Sequence, residues 1–404
     1  MVLRACATCD DGRPAVTEDG MRLLALVDSP DHVCCRYRIR AFEPALRQAG
    51  WSLTCQSIQR GTLARINQLT QAAGYDSVLL QRKLLPAWQL AILRRHSRHL
   101  VFDFDDAVLF HDSYDKRGPH SAWRQRRFAA TVRAADAVIA GNDFLADCAL
   151  RAGAHAERVR LIPTCVNPGN YPLMPSGYAR HVGSTAVDLV WIGSSSTLRG
   201  LEQQQPLWER LGREVPGLRL RVICDRFPSF HALRVIPVTW RQESEAADLA
   251  AGHIGVSWLP DDEWSRGKCG LKVLQYQAAG LPVVANPVGM NTELIEPGMT
   301  GFLPGSAQEW VEAVQALSSD PPRRRDMGQL ARNRVERGYS TEAWAETFVS
   351  SVAGMEHGDR GGGGTMHGSR PGPIPEPFFV RLRGMGVSKR NSRVNELARS
   401  RKLD

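Results

Sequence analysis

The chain has 404 residues, 43% of them hydrophobic and 23% charged, the balance of a globular protein too long for one core. Its net charge is +9, no apolar run approaches the roughly 18 residues of a membrane span, and MVLRACATCDDGRP lacks the apolar centre of a secretory signal. Nothing in these features argues for a membrane span or for export.

Residues 1–20 show no periodicity and read as a disordered leader or a mis-assigned start. From Met21 strands and helices alternate: MRLLALVD is a strand, RIRAFEPALRQAG helical, WSLTCQSI a strand, TLARINQLTQAAG a helix and DSVLLQR a strand. AWQLAILRRH is a helix and HLVFDFDD a strand; a long helix through AWRQRRFAATVRAA leads to strand DAVIAG, helix DFLADCALRAG and strand RVRLIP. Such alternation predicts a parallel sheet covered on both faces. After the Pro/Gly-rich VNPGNYPLMPSG a second run of the same kind begins at DLVWIGS and closes with helices ending near residue 355. The expected fold class is α/β, with two tandem Rossmann-like doubly wound domains at 21–172 and 173–340. Residues 341–355 form a terminal helix, and 356–404 a flexible basic tail. Ligands of such sheets sit outside the carboxyl ends of the strands, so a cleft between the domains is the expected site.

Nine cysteines in a chain of this kind point to reduced thiols. Neither the Cys6/Cys9 pair nor the adjacent Cys34 and Cys35 makes a convincing zinc site, so no metal is expected. The tail RLRGMGVSKRNSRVNELARSRKLD is strongly basic but nearly free of aromatics, which supports contact with an anionic membrane surface better than specific nucleic-acid binding.

Four stretches carry candidate chemistry. In GKCGLKVLQYQAAGLPVVANP, from Gly267, a helix opens near Gly270, with Lys268, Lys272 and Gln275 on one face. Free N–H groups at that helix N-terminus, beside two cations, suit a phosphate or diphosphate; a solvated lysine face is the alternative. WIGSSSTLRG follows a strand with Gly193, Ser194, Ser195 and Thr197, then Arg199; its small hydroxyl residues serve equally as helix caps. In VFDFDDAVLFH, Asp105 and Asp106 close a strand near His111 and suit a base, a hydroxyl anchor, a metal pair or an Asx turn. NPVGMNTELIEPGMTGFLP places Gly289, Asn291, Thr292 and Glu293 between a strand and a short helix, as caps or as a sugar-facing group.

Taken in order, these stretches resemble the retaining glycosyltransferases of the GT-B fold, family 4, from about Met21 to Gly354 and most closely from Asp188 to Pro304. WIGSSSTLRG lines up with that family's G-R-x-x-x-x-K-G loop, and GLPVVANPVGMNTELIEPGMTGFLP with its G-x-P-V-V-A … G-G-x-x-E stretch, Glu293 falling on the family glutamate. The family's two glutamates, eight positions apart, are here Gly267 and Gln275, and the loop's arginine and lysine are Ser194 and Arg199. The GKCG-x-K motif marks a variant branch in which Lys268 stands in for the lost cation.

The resemblance implies transfer of a sugar, with retention, from a UDP- or GDP-sugar to a glycan or lipid-linked acceptor in cell-envelope synthesis. No metal or other cofactor is required. Lys268 and Arg199 would stabilise the leaving diphosphate, Gln275 would take the ribose and Glu293 the sugar hydroxyls. Asp105, Asp106 and His111 would face the acceptor, and Arg36 and Arg38 would receive an anionic one. The setting implied is the cytoplasm, peripheral on the inner membrane face. The alternatives are a non-catalytic nucleotide-sugar-binding scaffold, prompted by the missing first glutamate, and an epimerase of the same fold.

Overall fold

Six strands form the first sheet of the computed structural model: β1 (Met21–Val27), β2 (Trp51–Ser57), β3 (Ser77–Gln81), β4 (Leu100–Phe104), β5 (Ala137–Ala140) and β6 (Val159–Leu161). They are parallel, in the order β2-β1-β3-β4-β5-β6. The second sheet contains β7 (Val187–Ile192), β8 (Leu218–Cys224), β9 (Arg234–Thr239), β10 (Ile254–Ser257), β11 (Val283–Ala285) and β12 (Gly301–Phe302), ordered β12-β11-β10-β7-β8-β9 and again parallel. The structure describes residues 20–171, 173 and 186–354, which lie within one compact unit. The expected leader falls outside them apart from Gly20, as do most of the linker after Tyr171, the tail from 355 and the membrane contact expected of that tail.

The central strands are buried on both faces because helices cover both. SVLLQ, LVFDF, AVIA and VDLVWI have no exposed position, which is why they read as continuous apolar runs. Pro237 is tolerated in β9 because that strand is an edge, pairing only with β8.

Two crossings join the halves. Outgoing Val166 and returning Ser340 run side by side, with Val166 N–H donating to Tyr339 O at 3.0 Å and Thr341 N–H to Val166 O at 3.1 Å. The helix Thr341–Ala353 then lies on the first domain, where Phe348 stacks on Phe42 at 4.3 Å and Val352 joins the core beneath β1 and β4. Gly354, at φ 69°, ends it in the left-handed conformation that glycine adopts without strain.

One ion pair lies inside the first domain. Arg38, 1% exposed, reaches Asp103 of β4 at 2.5 Å and donates to the Ile162 carbonyl at 2.6 Å. The expectation that Arg38 receives an acceptor is corrected here: its guanidinium is consumed holding β4 to the segment after β6. Removing one partner of a buried pair strands the other, so Arg38→Ala should lower stability by about 3–5 kcal/mol. The double replacement Arg38→Met with Asp103→Leu should recover much of that; urea unfolding midpoints measure both.

Candidate active site

The carboxyl ends of β4 and β10 meet at one turn. After β10, Asp262 caps the short helix Glu263–Arg266 by accepting from Ser265 N–H at 2.8 Å. Gly267-Lys268-Cys269-Gly270 follows, and the helix Leu271–Ala278 starts from Gly270 at φ 68°. This turn is inserted into the first domain. Cys269 is buried within the first domain's core, and the Asn142 amide donates across the junction to Arg266 O at 3.2 Å and Lys268 O at 3.3 Å. Ser113 and Ser265 meet hydroxyl to hydroxyl at 3.2 Å. A side chain at Gly267 would begin 2.5 Å from the Ala107 methyl, and one at Gly141 would overlap the Cys269 sulfur. The position that resembles a glutamate site in sequence is therefore filled by Ala107.

The insertion brings the cations to the junction. Lys268 Nζ lies 3.5 Å from Asp106 and 5.2 Å from the Trp264 ring centre. Asp106 is also paired with Arg82, whose Nε is 3.5 Å from Asp105. Arg82 is the only non-glycine residue with positive φ, 59°, among the described residues, a strained backbone held by these contacts and by its bond to the Cys34 sulfur. Nothing in the sequence marked it.

Lys272 faces the junction. Its Nζ sits 3.3 Å from Thr197 Oγ1 and 4.1 Å from the centre of the Trp191 ring, with no carboxylate paired to it among the described residues. Burial first, and then repulsion by Lys268, push its ammonium down to about 7. Half-buried and without a carboxylate partner among the described residues, this cation lies beside the free amides of the helix N-terminus and is poised for an anion. Arg199 is exposed, 6.0 Å from the Tyr114 ring of the first domain.

Glu245 organises the next corner. It accepts from Arg36 at 2.9 Å, Tyr37 at 2.7 Å, Trp240 Nε1 at 2.8 Å and the Gln275 amide at 3.0 Å. The Gln275 amide also donates to Tyr37 Oη at 3.0 Å, and Gln275 is 3% exposed. Arg36 and Gln275, assigned above to an acceptor and to a ribose, are thus engaged with each other's neighbours across the domain boundary. Glu245 and Trp240 had no motif to point to them.

The remaining candidates divide by what already holds them. Ser194 caps its helix in a capping box with Thr197, Ser195 N–H is given to Asp225 at 2.7 Å, and a side chain at Gly193 would meet Thr197 Oγ1 at 2.6 Å. The buried Asn291 amide donates to Asn286 O at 3.0 Å, and the Thr292 hydroxyl to Gly289 O at 2.8 Å. Gly289, at φ 53°, lets that turn pass beneath Ser265 and Arg266. Glu293 is exposed in the next helix; partial desolvation, then the like charge of Asp143, raise its pKa. His111 is buried with Nδ1 2.9 Å from Gly118 O and supports its own loop, a correction to its expected acceptor contact. Among the described residues no cluster of three or more potential metal ligands is present.

Comparison with known proteins defines the class. The fold is that of the GT-B glycosyltransferases: Anabaena HepE in complex with UDP and glucose superposes with a TM-score of 0.58 at 18% identity, over 83% of this chain and all of the other (100%). Sucrose-phosphate synthase from Thermosynechococcus elongatus superposes with a TM-score of 0.65 at 18% identity, covering 81% and 97%. In sequence, residues 202–350 match a family model described as glycosyl transferase-like. A D-inositol 3-phosphate glycosyltransferase of Pseudarthrobacter chlorophenolicus is 40% identical over 89 residues, 22% of this chain and 21% of that protein. Such curated relatives are matched over about a fifth of their length. Residues 202–350 thus resemble a glycosyl transferase-like family, within a chain of GT-B fold.

Because Ala107 fills the space, Gly267→Glu should not restore a catalytic group. It should force the turn out of the first domain, lowering the melting temperature and enlarging the radius of gyration measured by X-ray scattering; a variant as compact as the parent would refute the insertion. The pH dependence of anion binding at Lys272 has a definite sign. A diphosphate stabilises the ammonium and raises its pKa from about 7, so binding takes up a proton above that pH and affinity should fall between pH 7 and 9. Calorimetric titration with UDP in buffers of different ionisation enthalpy reads both.

Proposed function

We propose that this protein is a glycosyltransferase that takes a sugar from a nucleoside-diphosphate donor bound between its two domains. The observation that carries this reading is the half-buried Lys272, without an ion-pair partner among the described residues, beside Lys268 at the N-terminus of the helix Leu271–Ala278. The donor diphosphate lies on that helix end, with Lys272 beneath it. Lys268 exchanges its Asp106 contact for the phosphate whose charge grows as the bond to the sugar breaks. Arg199 approaches from the loop after β7. Glu293, its carboxyl pKa raised, faces the sugar, and Asp105 and Asp106 stand on the acceptor side.

Charge developing on the leaving group is met by fixed cations and helix amides, so the step requires no metal ion. The reaction retains the anomeric configuration, the donor is a UDP- or GDP-sugar, and the acceptor is a glycan or lipid-linked saccharide of the cell envelope. The cationic character of the chain supports work at the cytoplasmic face of a membrane, where anionic lipids concentrate. No helix among the described residues is long and apolar enough to cross one. A second reading is favoured by Gly267: without the usual glutamate, the site binds nucleotide sugar and transfers nothing.

Thermal shifts with UDP, GDP, ADP and dTDP separate these outcomes when followed by a product assay. A nucleotide at about a hundred times its Kd adds roughly 2.7 kcal/mol of stability. One nucleotide should give that shift, and Lys272→Met should lose it. With the matching sugar donor, mass spectrometry should find a lengthened acceptor, slowed about a hundredfold by Lys268→Met. A nucleotide shift without product would select the binding-protein reading; no shift at all would refute both.

A further inference from the structure

A second cationic site lies in the first domain. A cavity of about 280 Å³ opens at the carboxyl ends of β1, β2 and β3, lined by Asp28, Ile58, Arg60, Arg65, Lys83 and Arg127 together with the apolar segment after Lys83. Four cations face one carboxylate, a net charge of +3, and that carboxylate, Asp28, is already paired with Lys83. Arg60, Arg65 and Arg127 have no ion-pair partner among the described residues. A solvated basic surface would leave such side chains loose, whereas here two are held in place. Arg65 Nε donates to Gln59 O at 2.6 Å, and Arg127 Nη1 to Leu84 O at 3.1 Å while its guanidinium stacks 3.8 Å above the Trp123 ring. Desolvation pulls the pKa of Arg127 down from its usual range, as expected for a guanidinium lacking a counter-charge. Arg65 also gives Nη1 to Gln89 Oε1 at 3.3 Å, and arginines fixed in this way at the wall of a cavity are pre-ordered for an oxyanion.

The position gives this anion a role. Lys83 follows Arg82, which is paired with Asp106, and Asp106 contacts Lys268. The cavity and this chain of contacts therefore lie at the same, carboxyl end of the first sheet. A cavity of this size takes a small molecule such as a phosphorylated sugar or a headgroup, not a folded partner.

We infer that Arg60, Arg65, Lys83 and Arg127 form a binding site for a phosphate group carried by the acceptor. The phosphate-binding part stands on the cavity alone; its assignment to the acceptor rests on the glycosyl-transfer reading. Two sources share this chemistry, a soluble phosphomonoester and a phosphate presented on a lipid.

Glycerol 3-phosphate titrated calorimetrically into the full chain tests the first, and sedimentation with phosphatidylcholine vesicles containing phosphatidylglycerol tests the second. Arg60→Gln with Arg127→Gln should weaken one of these at least tenfold. Arg60→Glu, at an exposed side chain without a hydrogen bond, should do so with no change in melting temperature. UDP binding should stay within twofold in these variants. Loss in the glycerol 3-phosphate arm supports a soluble acceptor, and loss confined to the vesicle arm a lipid-borne one. Absence of binding in both arms, or binding that survives these variants and disappears only in Lys272→Met, overturns the site. Failure of the donor reading is seen separately, as absent UDP binding in the unaltered protein.

Discussion

The arrangement of the site depends on one steric fact: a four-residue turn of the second domain is inserted into the core of the first. Cys269 fills an apolar hole beside the end of β4, and only the missing side chains of Gly267 and Gly141 let the two backbones approach that closely. Glycine at these positions costs conformational entropy in the unfolded chain, and the contact it permits offsets that cost with buried apolar surface and two bonds from the Asn142 amide. The same insertion sets the cations. Lys268 lies within the turn and Lys272 just after it, so whatever holds the turn also holds their spacing.

Electrostatics at the junction follows from how each charge is compensated. Lys268 has Asp106, Arg36 has Glu245, and Arg82 has both Asp105 and Asp106. Pairs of this kind contribute little net stability after desolvation, but they impose register between the surfaces they join. Two of them, Lys268–Asp106 and Arg36–Glu245, span the domains. Lys272 is the exception, a cation whose company is an aromatic ring, a hydroxyl and a like charge. An anion placed beside it would offset the desolvation that pulls its pKa down.

The departures from the family pattern also have a physical explanation. A glutamate at 267 needs open space, and in this chain that space is an interdomain contact. The position that resembles the second glutamate is held by Gln275, whose amide instead meets Glu245, thirty residues away in sequence, at 3.0 Å.

Fold class was legible in the sequence because parallel strands covered on both faces must be continuously apolar, and SVLLQ, AVIA and VDLVWI leave no other reading. That Lys268 and Lys272 lie near one helix N-terminus was legible from their closeness in sequence, but the expected shared helix face is corrected: the helix begins at Leu271 and Lys268 sits in the turn before it. What the tertiary structure decided was the partner of each charge. Arg36 and Arg38 are two residues apart in one short helix, yet one meets Glu245 across the domain boundary and the other Asp103 within the core. Arg60, Arg65, Lys83 and Arg127 lie in four separate segments and converge only because parallel β-α connections return every loop to the same end of the sheet. Local pattern determines which residues can share a face. Which faces then meet is a long-range packing outcome, and the charges inherit it.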